Sequence, residues 1–264
     1  MWALLPNSTA ERQRLEKRAA YFFTTSVRSR REVSAFAAAL LKVGRVVVIG
    51  GLLRDLFLGG NQEFKSDVDF VIDPDSIAEF DRLANRLGAR VNRFGGYCIE
   101  LRRWKVDVWP RERTWAAVHG YASVSSLPDL VNATFFDWDA VLYDLASRRV
   151  ITQRCYFERI HRRVIDINLE PNPNPLGNAV RALRYAYRWD AALGQKLVEH
   201  VAKQIQDHGW DKLVATENRS FSTPVLKSFD GDWLTALLRE NARNGNGPIH
   251  LPLRPVQKEL PFEA

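Results

Sequence analysis

The stretch VVVIGGLLRDLFLGGNQEFKSDVDFVID, residues 46–73, decides how the chain folds. Val46 to Ile49 is a β-branched run, long enough for a buried strand and too short for a helix. Gly50-Gly51 lets the backbone turn tightly and approach a ligand with no Cβ in the way. Leu52 to Leu58 reads as a helix that Gly59-Gly60 ends. The amides around Gly51 then sit at a helix N-terminus, where phosphate binds readily. The next strand, Ser66 to Ile72, carries Asp67 and Asp69 two residues apart. Period-two geometry puts both carboxylates on one face and Val68 with Phe70 on the other. Two like charges side by side on a strand repel. A divalent cation between them removes that cost and supplies catalysis.

Gly50-Gly51-x-x-Arg54-Asp55-x-x-Leu58-Gly59, followed by Asp67-x-Asp69, resembles the head domain of class II CCA-adding enzymes and bacterial poly(A) polymerases, which are polymerase-β-like nucleotidyltransferases. Either motif alone is weak; their joint order on strand, turn, helix and strand is much stronger. The resemblance implies transfer of a nucleoside monophosphate from a nucleoside triphosphate to a hydroxyl. It implies two Mg²⁺ ions on the aspartates, with Mn²⁺ as the substitute. It also implies a third carboxylate on a later strand, between valines. Lys105-Val106-Asp107-Val108-Trp109 matches that strand, so Asp107 joins Asp67 and Asp69 as a catalytic and metal-binding candidate. Gly50 and Gly51 become the phosphate cradle, Arg54 a triphosphate or structural partner, and Asp55 a residue that orients the turn. Arg111 opens a stretch that in the family is mobile and lies near the nucleotide, which makes Arg111 a nucleotide-binding candidate. Asp139 to Asp144 resembles the family's Asn-Ala-Leu-Ala-Tyr-Asp strand, but Ala133-Thr134-Phe135 stands where the family has Arg-Arg-Asp.

In bulk the chain is ordinary. Its 264 residues, 46% hydrophobic and 26% charged, suit one large globular domain or two modest ones. The net charge of +7 and a pI of about 9.6 favour a polyanionic partner. Cys98 and Cys155 lack ligand spacing and read as free thiols of a reducing compartment, so zinc is not expected. No apolar run reaches the length that spans a bilayer. The N-terminus has its apolar residues before its charges, the reverse of a secretory signal. A cytoplasmic protein without a membrane partner is expected.

Asn7-Ser8-Thr9 is a helix cap, and Ala10 to Leu41 reads as one or two helices rich in arginine. Asp75 to Leu87 is an amphipathic helix; Arg90 to Trp109 alternates as a β-ribbon; Ser147 to Arg149 closes a hairpin. From Tyr156 onward the pattern is helical. A basic helix is expected over Phe157 to Ile167, then a breaker run from Pro171 to Pro175, then a helix over Asn178 to Trp189. That last helix carries Arg181, Arg184 and Arg188 on one face and resembles the family's neck helix. The resemblance makes Arg181 and Arg184 nucleotide-binding candidates and all three RNA-binding candidates, against the alternative of a solvated basic stripe. Further helices are expected around Lys196–His208 and Asp232–Asn241, and a flexible linker over Asn244 to Pro248. In the tail, Gln257 to Phe262 resembles a sliding-clamp-binding peptide, a match so short that a plain disordered terminus is the better reading.

The expected fold class is α+β. A mixed-sheet head with N-terminal helices takes residues 1–151, a smaller all-helical neck 152–243, and a flexible tail 244–264. The resemblance points to the 3′ end of an RNA as acceptor, tRNA first. A protein or small-molecule acceptor needs the same three carboxylates, and an inactive nucleotide- or RNA-binding protein is the remaining reading. The family's base-reading Glu-Asp-x-x-Arg run falls on Asn174, Pro175 and Asn178, unless a shifted register brings in Asp166 or Glu170. Asparagine and proline cannot reproduce the carboxylate acceptor and the arginine fork, so ordered addition of C, C and A is not expected. The sequence leaves the oligomeric state open.

Overall fold

In the computed structural model the described residues are 8–25, 27–59, 67–92 and 94–251. Asn7, Gly60, Ser66 and the stretch from Gln257 to Phe262 lie outside them. Contacts divide the chain into two units. The first runs to Ile160 and adds Asn168–Asn172; the second takes His161–Ile167 and the chain from Pro173. Tyr156 to Ile160 thus stay with the first unit, beyond the residue 151 at which sequence alone divides the chain. The Tyr156 hydroxyl donates to the Trp138 carbonyl at 3.1 Å, and Phe157 packs on Phe57 with ring centroids 5.3 Å apart.

The first unit is built on a seven-stranded mixed sheet. Its strands are β1 (Gly44–Ile49), β2 (Val68–Pro74), β3 (Arg90–Val91), β4 (Tyr97–Glu100), β5 (Lys105–Pro110), β6 (Val141–Asp144) and β7 (Arg149–Thr152), in the order β3-β4-β5-β2-β1-β6-β7. Only β2 and β5 run parallel. Alternation sorts the side chains. Val48, Phe70, Val108 and Tyr143 stand in register on one face, and Val47, Val71 and Leu142 on the other. The first face is covered by α1 (Ser8–Thr24) and α2 (Arg28–Leu40): Phe36 lies edge-on to Phe70, and Phe23 stacks on Tyr143. The second is covered by Val124 and the 3₁₀ turn Leu127–Asn132, whose leucines close a cluster over Val47, Val71 and Leu142.

The β1–β2 connection holds α3 (Gly51–Leu58), in which every residue from Gly51 to Phe57 is buried. Each leucine so buried contributes about 1.5–3 kcal/mol. Arg18 of α1 ends this helix by donating to the Leu56 and Phe57 carbonyls at 2.7 and 2.8 Å, so one arginine of the basic N-terminal region is a structural cap. The amphipathic helix is α4 (Ile77–Arg86), with Ser76 as its N-cap, and the loop after β5 forms the one-turn α5 (Trp115–Val118).

The helix expected over Phe157–Ile167 is corrected. It is the short α6 (Tyr156–His161), after which Arg163 takes a left-handed φ of 51° and the chain enters β8 (Val164–Ile165). Pairing with β9 (Ala192–Leu193) makes a small parallel sheet within the second unit, which is therefore not wholly helical. That unit also contains α7 (Pro175–Trp189), α8 (Gln195–His208), α9 (Trp210–Ser220) and α10 (Gly231–Asn244). Sequence periodicity misses α9, whose buried positions are only Leu213 and a charged residue, Glu217. Within the expected linker Gly245 caps α10, and just beyond it Ile249 exchanges backbone hydrogen bonds of 2.8 and 2.9 Å with Leu193.

Candidate active site

Register assembles the site. Asp69 of β2 is the Cα partner of Asp107 on the parallel strand β5, and of Ile49, the last residue of β1, on its other side. Neighbouring residues in register share a face, so Asp69 and Asp107 stand side by side. Their face is the one that Val71 and Trp109 continue two residues on. Asp67 precedes β2 by one residue and, like Asp69 and Asp107, is half-buried, while Val68 and Phe70 on the opposite face are fully buried. The period-two reading of this strand holds.

After Ile49 the chain turns through Gly50 at φ 74° and ψ −124°, a conformation open essentially to glycine alone. The Gly50 amide donates to the Val141 carbonyl at 3.1 Å, and the Leu53 and Arg54 amides donate to the Gly50 carbonyl. The two amides that open α3, those of Gly51 and Leu52, precede the first of these helical bonds. The turn lies against Asp139: a Cβ on Gly50 would sit 3.7 Å from the Asp139 Cβ.

Two residues that sequence reasoning passed over complete the surroundings. Lys105 Nζ donates to Asp67 Oδ2 at 2.9 Å and lies 3.8 Å from Asp107 Oδ2. The hydrogen bond to Asp67 raises the lysine pKa, partial burial opposes it, and the charges of Asp67 and Asp107 add to the rise. Asn92 donates from Nδ2 to Asp107 Oδ1 at 3.4 Å, while its own Oδ1 accepts from the Phe94 and Gly96 amides. Lys105 could have been found from its spacing, two residues before Asp107 on one strand face; Asn92 had no local signal. Cys98, the cross-strand partner of Asp107, has its thiol pKa raised by burial and by the Asp107 charge.

The donor set is all carboxylate oxygen, the chemistry that Mg²⁺ and Mn²⁺ take. An ammonium group already stands between two of the carboxylates as a cation of lower charge. Among the described residues, however, no three acidic, histidine or cysteine side chains converge as a metal-ligand group. The donor chemistry suits a divalent cation, while Asp67 is turned toward Lys105 and does not close a three-carboxylate group with Asp69 and Asp107.

The remaining sequence candidates are scattered. Arg54 is 2% exposed: its Nε and Nη2 donate to Asp55 Oδ1 at 3.0 and 2.8 Å, and Nη1 donates to Asp139. Arg111 donates from Nε to Asp73 Oδ1 at 2.9 Å and from Nη1 to the Val124 carbonyl, so it ties β2 to the following loop. In the second unit Arg181 lies over and donates to Tyr185, and Arg188 lies over Trp189. Arg184 pairs with the fully buried Glu217, donates to the Thr223 carbonyl at 2.8 Å and covers Phe221. Asn174 is the N-cap of α7, accepting from the Gly177 amide at 3.3 Å, with Pro175 at the first helical position and Asn178 buried. Asp166 accepts from the Leu197 amide at 2.9 Å and so caps α8.

No family model and no curated protein sequence matches the chain. Solved structures do match in fold. One is the Thermotoga maritima CCA-adding enzyme complexed with tRNA, at a TM-score of 0.53 and 15% identity, over 83% of this chain and 53% of that one. Another is a CCA-adding enzyme in complex with CTP, at 0.52 and 16%, over 80% and 52%. A third is an apo tRNA-processing enzyme, at 0.50 and 18%, over 81% and 57%. The chain spans little more than half the length of these proteins, and at such identity the likeness is one of fold. Among the described residues no helix is long and apolar enough to cross a membrane.

Proposed function

We propose that the chain is a metal-dependent nucleotidyltransferase that transfers a nucleoside monophosphate from a nucleoside triphosphate to the 3′ end of an RNA, tRNA first. The observation that carries this is the register of Asp69 with Asp107 beside the Gly50 turn. It puts two carboxylates of the expected triad, with Asp67 close by in sequence, next to a helix N-terminus suited to phosphate. The fold shared with CCA-adding enzymes supports the same reading. In this reading the first unit works as the catalytic head and the second as a neck that meets the acceptor.

The acceptor hydroxyl loses its proton to solvent as its oxygen attacks the α-phosphorus, the bond from that phosphorus to the bridging oxygen breaks, and pyrophosphate leaves with the electron pair. Asp67, Asp69 and Asp107 would hold Mg²⁺, which when bound lowers the hydroxyl pKa and neutralises charge on the triphosphate. The Gly50 amide is already used by Val141, so Gly50 serves through its backbone conformation. The amides of Gly51 and Leu52 are the donors left to face the phosphates. Arg54 and Arg111, both committed to carboxylates, act by holding the turn and the loop in place. Base selection by the α7 entrance is not proposed, because Asn174 and Pro175 there are a helix cap and a helix start. Ordered addition of C, C and A is therefore not expected.

The test offers each α-labelled triphosphate separately to tRNA lacking its 3′ end, to total RNA and to total protein. Label should enter RNA and stay out of protein. Asp69→Asn and Asp107→Asn should each reduce incorporation by more than the roughly 10–100-fold that loss of an outer-shell metal partner costs. Wild-type activity in the double variant overturns the site, label in protein overturns the acceptor, and faithful completion from CTP and ATP overturns the view of base choice.

A further inference from the structure

Lys105 has a carboxylate directly across the β4–β5 ladder, because Glu100 is its Cα partner. It does not use it. Glu100 pairs with Arg90, and Lys105 instead reaches over the parallel seam to Asp67 and Asp107. Lys105 stands between Glu100 on one side and, because Val106 pairs with Val68, Asp67 on the other, and it shares the strand face of Asp107. Asp69 and Asp107 stand side by side in register, Asp67 lies two residues before Asp69, and a cation within 4 Å of Asp67 and Asp107 relieves their mutual repulsion whenever no metal is bound.

We infer that Lys105 is the resident counter-cation of this cluster, that a divalent metal must displace it, and that it thereby sets the metal affinity of the site. The inference rests on the metal-dependent reading above and deepens it. An ammonium ion beside Asp67 and Asp107 and a divalent metal on the same carboxylates repel each other and compete for the lone pairs that face the gap. The exchange is open to the side chain. Lys105 is 49% exposed and Asp67 47%, so the lysine can swing to solvent by rotamer changes without uncovering core. Asp107, at 14%, keeps the amide of Asn92 as it exchanges partners. Lys105 is in this sense a positioning residue: it holds Asp67 toward β5 until metal arrives.

The test titrates the full chain with Mn²⁺, without nucleotide, and follows free Mn²⁺ by electron paramagnetic resonance. Wild type is compared with Lys105→Gln, which removes the charge, and Lys105→Arg, which keeps it. Lys105→Gln should bind Mn²⁺ roughly tenfold more tightly, equivalent to about 1.4 kcal/mol, and Lys105→Arg should stay near wild type or bind more weakly. A merely structural role predicts the opposite sign, because loosened carboxylates bind metal less well. Unchanged or weaker binding by Lys105→Gln, with wild type binding normally, overturns this inference and leaves the metal-dependent reading standing. Failure of all three proteins to bind Mn²⁺ overturns both.

Discussion

At the residue scale, Arg54 shows how a motif arginine is spent. Its guanidinium is buried between Asp55 and Asp139, and both carboxylates are themselves buried. A charge so placed is costly to leave unpaired, because desolvation is no longer repaid by water. The triphosphate role, open from sequence alone, would require Arg54 to abandon these partners. Arg54→Leu should therefore lower stability by about 3–5 kcal/mol in urea unfolding, since it removes the cation that faces two buried carboxylates. A variant that kept its stability and lost only triphosphate binding would return Arg54 to the substrate.

At the scale of elements, the β1–α3 turn joins catalysis to fold. Gly50 holds a φ of 74° with ψ −124° and spends its amide on β6, which fixes where α3 begins relative to Asp69 and Asp139. Gly50→Ala should cost about 1–3 kcal/mol, the range for a residue held in a disfavoured backbone region, and weaken triphosphate binding as well. Gly88 is the control. It too has positive φ, 68°, but an added Cβ there meets nothing within 4 Å, and Gly88→Ala should leave triphosphate binding unchanged. Urea midpoints and triphosphate affinity measured on both variants check the pair; equal loss of binding in the two would detach the turn from the site.

At the scale of the whole molecule, the net charge of +7 calls for a polyanion, yet the arginine stripe of α7 is not uniform. Arg184 neutralises a fully buried glutamate that also accepts from the Val225 and Leu226 amides at 3.0 and 2.8 Å. Arg181 and Arg188 lie over aromatic rings on their own helix, Arg188 with its surface exposed. If the second unit meets RNA, the two roles separate. Arg184→Gln should destabilise the protein by about 1–3 kcal/mol, because the buried Glu217 loses its cation but keeps its two backbone amides. The double change Arg181→Gln with Arg188→Gln should leave stability nearly untouched and reduce the logarithmic salt slope of RNA binding by about 1.4, at roughly 0.7 per single-strand phosphate contact. A slope unaffected by the double change would take α7 out of the RNA surface.

The sequence by itself determined the strand, glycine turn, buried helix and acidic strand of residues 46–73, because each is encoded by near neighbours. A β-branched run, a forced backbone dihedral and a two-residue period need no distant partner. The same locality made Asp107 readable as one acidic position between inward valines. Tertiary structure alone decided what those groups face. The in-register placing of Asp69 beside Asp107, and the reach of Lys105 to Asp67 across 38 residues of sequence, depend on which strands become neighbours. So does the fate of the arginines, since Arg54, Arg111 and Arg184 each found a carboxylate that periodicity does not reveal. The end of α6 at His161 and the existence of β8 go likewise with pairing to Ala192 and Leu193, residues 28 positions away. Charge and period describe a surface before it folds; the choice among partners is made by backbone register, and register is a property of the assembled sheet.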